Sequence, residues 1–317
     1  MYGVDKMKLS DVGEVKVIEA ILDLIRNVYP DKPLPAYDDA VAIRVSDSWV
    51  IVKIDGTSSK SSKYPWMSWS DFSYRVALGT ISDIISKGGK PLGLSVSIGV
   101  PKDFTITEVL EIIKGVKELI IKVDAKFLGG DINTSNVKDY VWMDVSGIGI
   151  AKKPIPNIFR NGDLVRISNC LGLSSIEALI YYKNIDLSKA EKFLRLPYKP
   201  EPPLNFLEVC DQVTAATDIS DGLYSLTKVL RRLRLDLVLS DDLPLCKEVI
   251  EFMNEFNVDA LDILKYLGEE YIIVFNDPHN SLRHYPILGE LREGKGNIIY
   301  KGKVVRGGWD NFKGFIG

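Results

Sequence analysis

The sequence predicts an α+β protein made of two mixed α/β halves. Three observations carry that expectation. Helical and β-rich runs alternate along all 317 residues. The stretch Lys152-Lys153-Pro154-Ile155-Pro156 divides them near the middle and reads as an interdomain linker. Hydrophobic residues make up 46% and charged residues 26%, which suits a packed globular chain. The halves are expected at 1–152 and 153–317.

In the first half, Val17, Ile18, Ile21, Leu22 and Ile25 recur at helical spacing and predict a helix from Val15 to Tyr29. Pro33 and Pro35 interrupt the chain before Tyr37-Asp38-Asp39. The runs Ala40–Val45 and Trp49–Ile54, joined by Ser46-Asp47-Ser48, read as a hairpin, and the Ser/Lys-rich stretch from Gly56 to Lys63 as a loop. A helix is expected from about Ser70 to Gly88-Gly89. Pro91 follows it, then a strand over Leu92–Val100, a helix over Thr107–Val123, and strands at Phe127–Asp131 and Tyr140–Ile150. The second half predicts strands at Leu164–Ser168, Leu235–Leu239, Tyr271–Phe275 and Asn297–Val304. Its helices are expected at Ser174–Tyr182, Gly222–Leu233 and Leu245–Phe256.

Several classes of function are excluded by what the chain lacks. A net charge of −3 gives no field for a nucleic acid. No apolar run approaches the roughly 20 residues that span a bilayer. Met1-Tyr2-Gly3-Val4-Asp5-Lys6 carries no signal-peptide core, so a cytoplasmic protein without a membrane partner is expected. Cys170, Cys210 and Cys246 lie far apart with no C-x-x-C pair and read as small buried hydrophobes, not as a disulfide framework or a zinc site. The two histidines, His279 and His284, sit in a polar, Pro-flanked stretch that reads as surface. Chemistry must therefore run on carboxylates and bound metal.

There is no G-x-x-x-x-G-K-[ST] loop, and Gly147-Ile148-Gly149 reads as part of a strand. What stands out is a series of aspartates at predicted strand ends and helix starts: Asp38-Asp39, Asp55, Ser82-Asp83, Gly129-Gly130-Asp131 and Asp218-Ile219-Ser220-Asp221-Gly222. Magnesium prefers a few carboxylates plus substrate phosphates, and a triphosphate cannot sit beside carboxylates unless cations lie between them. Neighbouring glycines let backbone N–H groups approach phosphate. Each piece also fits a plain role: Asp221 as a helix cap, Asp83 as a helical surface residue, Asp38-Asp39 as a turn and Gly129-Gly130-Asp131 as an ordinary loop.

Taken in order, these pieces resemble a known family. Asp218-Ile219-Ser220-Asp221-Gly222-Leu223, Gly268-Glu269-Glu270-Tyr271 and Gly308-Trp309-Asp310-Asn311-Phe312 resemble the D-[IL]-S-D-G-L, G-E-D-Y and G-[WY]-D-H-F series of thiamine-monophosphate kinases. Asp38-Asp39-Ala40, Asp55, Ser82-Asp83 with Gly88-Gly89-Lys90-Pro91, and Gly129-Gly130-Asp131 extend the resemblance over nearly the whole chain. The wider ATP-binding superfamily also holds aminoimidazole ribonucleotide synthetase, selenophosphate synthetase and a hydrogenase maturation factor.

The resemblance implies the aminoimidazole ribonucleotide synthetase-like fold, Mg2+ as cofactor, ATP as co-substrate and thiamine monophosphate as acceptor. It implies a homodimer paired through its N-terminal halves, with the ATP site between the halves' strands. Carried over residue by residue, it gives magnesium ligands at Asp39, Asp55, Asp83, Asp131, Asp218 and Asp221. ATP contacts fall on Gly130, Asp131, Ser220 and, across a shortened loop, Arg160. Substrate contacts fall on Glu269 and Trp309, with Ser62 at the position of a substrate-binding histidine. No dedicated acid or base is implied, because the acceptor phosphate, with a second pKa of about 6, is largely a dianion near neutral pH.

The chain also departs from the pattern. Lys53-Ile54 stand where the family carries Ser/Thr-Thr, so an ammonium replaces ligand oxygens. Gly56-Thr57-Ser58-Ser59-Lys60 is similar to the D-G-x-x-x-K loop of aminoimidazole ribonucleotide synthetases. Arg160-Asn161-Gly162-Asp163 is a shortened loop, Glu270 replaces an aspartate and Asn311 a histidine. Another ATP-dependent synthetase of the superfamily and a non-catalytic nucleotide-binding relative therefore stay open as alternatives.

Overall fold

Runs that alternate apolar and polar residues build two sheets in the computed structural model, which describes residues 8–30, 32–194 and 199–316. Met1 to Lys6, read above for a leader, lie outside the described residues. After two short N-terminal helices, α1 (Leu9–Val12) and α2 (Glu14–Ile25), come β1 (Val41–Val45), β2 (Ser48–Ser58), α3 (Ser59–Ser62) and α4 (Trp69–Ser86). The first half continues through β3 (Lys90–Pro101), α5 (Ile106–Lys122), β4 (Lys126–Ser135) and β5 (Trp142–Ala151). Its five strands lie in the order β1-β2-β5-β3-β4. Only β3 and β4 run parallel, joined by α5 as the crossover; the other pairs are antiparallel.

The second half contains β6 (Leu164–Ile167), α6 (Leu173–Tyr182), α7 (Leu187–Leu194), β7 (Ala216–Ile219), α8 (Leu223–Leu233) and β8 (Leu235–Leu239). It continues with α9 (Lys247–Phe256), α10 (Ala260–Lys265), β9 (Ile272–Asn276), β10 (Ile287–Glu293), β11 (Ile298–Tyr300) and β12 (Lys303–Val305). These strands form a seven-stranded sheet in the order β12-β11-β8-β10-β6-β9-β7. A small hairpin, β13 (Trp309–Asp310) with β14 (Gly314–Phe315), ends the chain.

Helix α4 decides how the halves meet. It starts at a capping box in which Ser68 and Asp71 satisfy each other's backbone N–H groups. Nearly every residue from Ser70 to Ser86 is buried, because α4 lies between the two sheets. One apolar core therefore holds Leu78, Ile81, Val96 and Val145 from the first half with Ala216, Ile273 and Phe275 from the second. The segment between β5 and β6 is not a free tether. Ile155 is buried in the same core and its N–H donates to the Lys87 carbonyl.

The structure corrects several expectations. The stretch from Gly56 to Lys63 is not a loop: β2 runs to Ser58, paired with β5 as far as Trp142, and the Ser58 hydroxyl then caps α3. Polar residues hide this strand because pairing, not burial, holds its end. Asn297–Val304 is two strands, turned at Lys301-Gly302 where both residues have positive φ. Cys170 and Cys246 are joined in a disulfide, contrary to the reading as free thiols. A parallel bridge between Leu171 and Leu245 brings the two cysteines together, with Cα atoms 4.9 Å apart. Tertiary pairing makes that contact, so spacing in sequence cannot reveal it. Cys210 remains free. Both histidines are exposed, and no helix among the described residues is long and apolar enough to cross a membrane.

The disulfide closes a loop of sequence separation 76. Replacing both cysteines by alanine is expected to lower the unfolding free energy by about 2–4 kcal/mol. Denaturant titrations with and without reductant check this: reductant should destabilise the natural chain and leave the double variant unchanged.

Candidate functional site

Three carboxylates from distant segments meet where α4 passes between the sheets. Asp39 lies just before β1, Asp83 in α4 and Asp218 on β7, and their oxygens come within 4.8 Å of one another. Local hydroxyls fix the group. Thr217 Oγ1 donates to Asp39 Oδ1 at 2.9 Å, Ser86 Oγ donates to Asp39 Oδ2 at 3.3 Å, and Ser82 Oγ donates to Asp218 Oδ2.

Crowding sets the electrostatics. Burial pushes the Asp218 carboxyl up to about 7, with the Asp39 charge adding to it. Burial and then the Asp218 charge hold Asp83 well above the ordinary carboxylate range. Asp221 is raised to about 6 by burial, against the pull of Lys228. Carboxylates packed this closely out of water cannot all stay charged without a cation. The donors are oxygens only, with no histidine or cysteine among them, which fits a hard divalent ion such as magnesium.

Two lysines already stand in the acidic group. Lys53 Nζ lies 2.7 Å from Asp83 and 3.1 Å from Asp55. Lys87, fully buried, places Nζ 2.6 Å from Asp38 and 2.7 Å from Asp39, and donates to the Ala216 carbonyl at 2.8 Å. Sequence reading missed Lys87. A lysine ahead of Gly88-Gly89 looks like a surface helix end, and only the packing of β7 across it shows otherwise.

Beside this group opens a cleft of about 350 Å³. Lys53, Asp55 and Asp83 line one end, and Ser220 and Asp221 belong to the same lining. At the other end stand Ser62, whose hydroxyl pairs with Thr57 at 2.8 Å, and Glu269. A wall of Tyr64, Tyr182, Tyr266, Trp309 and Phe315 completes that end. Phe315 stacks on Tyr266 and Tyr182, with centroids 5.0 and 5.8 Å apart. Glu269 is held by Arg75, which pairs at 2.5 Å with the buried Glu177. Arg75 reaches the cleft from α4 about two turns before Asp83, so one helix serves both ends. Neither Arg75 nor Glu177 was legible in sequence, because both look like ordinary helical charges.

The candidate residues therefore separate into groups. Asp39, Asp83 and Asp218 converge. Asp55, Asp221, Ser220, Ser62, Glu269 and Trp309 line the cleft, which Asp83 joins to the buried trio. Gly130 and Asp131 do not join them within one chain. They lie exposed on the edge strand β4, where Asn133 donates to Asp131 at 2.6 Å. Register places them level with Asp55 but three strands away, about 14 Å at ordinary strand spacing. Arg160 is exposed in the turn before β6 and is absent from the cleft lining.

The glycines of the motifs close the cleft sterically. Gly222 has φ +68°, and a Cβ there would fall 2.0 Å from the Leu267 carbonyl oxygen. Gly308 has φ +117°, and a Cβ would meet the Asp221 carbonyl oxygen at 2.6 Å. Glu270 points away from the cleft and accepts from the Gly172 and Ser174 N–H groups at the start of α6. Asp310 is a buried hub that accepts from the Phe312, Lys313 and Glu14 N–H groups and from the Tyr224 hydroxyl. It fastens the tail carrying Trp309 to α2 and α8.

Comparison with known proteins finds relatives that match along most of the chain. Residues 37–151 match the family model "AIR synthase related protein, N-terminal domain". A thiamine-monophosphate kinase of Pyrobaculum calidifontis is 28% identical over 84% of this chain and 88% of that protein. The crystal structure of tt0281 from Thermus thermophilus is 26% identical with a TM-score of 0.81, covering 94% of this chain and 99% of that one. AaThiL complexed with AMPPCP and TMP has a TM-score of 0.83 at 20% identity, covering 97% and 99%.

The Asp310 hub has a pH signature. Burial works to raise its pKa, but the backbone N–H donors, Phe312 first, and Tyr224 hold the carboxyl below its ordinary value. Its stabilisation is therefore fully present above the unfolded value of about 3.9 and is lost as the pH falls through the lower folded value. Asp310→Asn should cost about 2 kcal/mol near pH 7, with the deficit vanishing in that acid window. Denaturant titrations over a pH series measure it.

Proposed function

We propose that this chain, a member of the thiamine-monophosphate kinase family of AIR synthase-related proteins, transfers the γ-phosphoryl group of ATP to the phosphate of thiamine monophosphate, giving thiamine diphosphate and ADP. The observation that carries the reading is one cleft with two chemically distinct ends. An acidic end that demands cations suits a polyphosphate, and an aromatic end with a carboxylate suits a cationic ring. The solved relative complexed with AMPPCP and TMP supports the same pairing of ligands.

The reaction forms a bond from an acceptor phosphate oxygen to the γ-phosphorus and breaks the bond from that phosphorus to the β,γ-bridging oxygen. The dianionic acceptor needs no base, which matches a cleft without histidine. The chain must instead hold two anions in line and relieve their repulsion. Asp39, Asp83 and Asp218 would hold magnesium, with Asp221 beside it in the cleft and Asp55 tied to Lys53. Magnesium, when bound, supplies positive charge to the phosphate oxygens during transfer. Ser220 would donate to the nucleotide, while Trp309, Tyr182 and Phe315 would face the thiazolium. Glu269, oriented by Arg75, would offset the ring's charge, and Ser62 would close that end of the pocket.

The same reading extends to assembly. The edge strand β4 leaves Phe127 50% and Ile132 57% exposed, and unpartnered apolar edges favour pairing. We take the N-terminal halves, 1–152, to pair there in a homodimer. Gly130, Asp131 and Arg160 would then contact nucleotide only in the assembled dimer. A cytoplasmic location belongs to this reading.

Three outcomes are expected. Incubation with Mg·ATP and thiamine monophosphate should yield thiamine diphosphate by mass spectrometry, and no product above a no-enzyme control would retire the kinase reading. Asp218→Asn should weaken Mg·ATP binding by more than about 1 kcal/mol, roughly five-fold, in calorimetry. For the dimer, Ile132→Lys should shift the mass measured by light scattering from two chains to one.

A further inference from the structure

The two lysines of the acidic group are not equivalent. Lys87 is fully buried and spends its three donors on Asp38, Asp39 and the Ala216 carbonyl. Lys53 is different. It lies two residues before Asp55 on β2, so both side chains share one face of the strand. Its Nζ sits between Asp55 on the sheet and Asp83 on α4, at 3.1 and 2.7 Å. Its side chain keeps 21% exposure and lines the cleft, so the third N–H is open to a ligand.

We propose that the Lys53 ammonium is a built-in cation of the transfer site. It fills the position between Asp55 and Asp83 that a divalent ion would otherwise take, and offers its free N–H to a phosphoryl oxygen. The geometry suits an ammonium. The N···O distances are those of charge-assisted hydrogen bonds, whereas magnesium requires oxygens at about 2.0–2.1 Å in an octahedron. A carboxylate pair bridged in this way has no need of a second divalent ion, because neutralisation comes with the fold. The divalent ion is left to Asp39, Asp83 and Asp218. Lys53 would thus lower the number of metal ions the chain needs, and set a fixed positive charge beside the transferring group. The inference rests on the nucleotide half of the function proposed above and is independent of the acceptor.

Counting bound Mn2+ by electron paramagnetic resonance, with saturating AMPPCP and no acceptor, tests it. Lys53→Thr, which removes the ammonium and adds a hydroxyl, should bind one more Mn2+ per chain than the natural protein. Asp55→Asn in the natural background should leave the count unchanged, because Asp55 is held by Lys53 and not by metal. Equal counts in Lys53→Thr and the natural chain, or loss of an ion in Asp55→Asn, overturn the inference. The Asp55→Asn arm decides the matter if Lys53→Thr does not fold. Failure of the natural chain to bind AMPPCP at all overturns the nucleotide reading as well, so the two failures are distinguishable.

Discussion

The structure depends on the cost of gathering carboxylates out of water. Asp39, Asp83 and Asp218 come from a loop, a helix and a strand that are far apart in sequence, and their oxygens lie within 4.8 Å of one another. A fold that only needed stability would not hold them there. Burial and mutual repulsion raise Asp83 and Asp218 far from their ordinary range, so the arrangement is favourable only with positive charge among them. Lys53 and Lys87 supply part of that charge permanently. The remainder is the opening for a divalent ion and the phosphates it accompanies.

Helix α4 turns this local demand into an organised cleft. It is buried nearly all round because it separates two sheets, and the same burial fixes its few charged side chains. Arg75 orients Glu269 at one end, and Asp83 joins the acidic trio at the other. The spacing of these residues along a rigid helix sets the distance between the two ends. The tail contributes the lid of aromatic residues, fastened by Asp310, so the motif aspartate acts through position and not by contact with ligand. The cleft therefore unites residues from both halves of the chain, and neither half contains it alone.

Much of this was legible in sequence for definable reasons. Long periodic segments such as α4 and α5 carry capping boxes and apolar spacing, which are local signals. The aspartates were visible because, taken in order, they resembled a family's motifs, although each alone also fitted a cap, a turn or a surface charge. The disulfide was not legible, since nothing local to Cys170 or Cys246 records the pairing of Leu171 with Leu245. Lys87 and Glu177 were hidden for a related reason: a charge in a helix looks exposed until the neighbouring sheet covers it. Short elements were missed as well. Strands β7 and β10 gave no distinct signal, although β7 carries Asp218. The motif was recognisable there while the strand was not. Asp131 shows the reverse limit, because its motif was clear but its strand lies at the far edge of the sheet.

The most direct measurement is anomalous diffraction from crystals grown with Mn2+ and AMPPCP. A manganese peak should appear within about 2.2 Å of oxygens from Asp39, Asp83 and Asp218, with nucleotide phosphate on its open side. Manganese bound elsewhere, or a nucleotide seated away from these three carboxylates, would contradict the assignment of the acidic group as the polyphosphate grip.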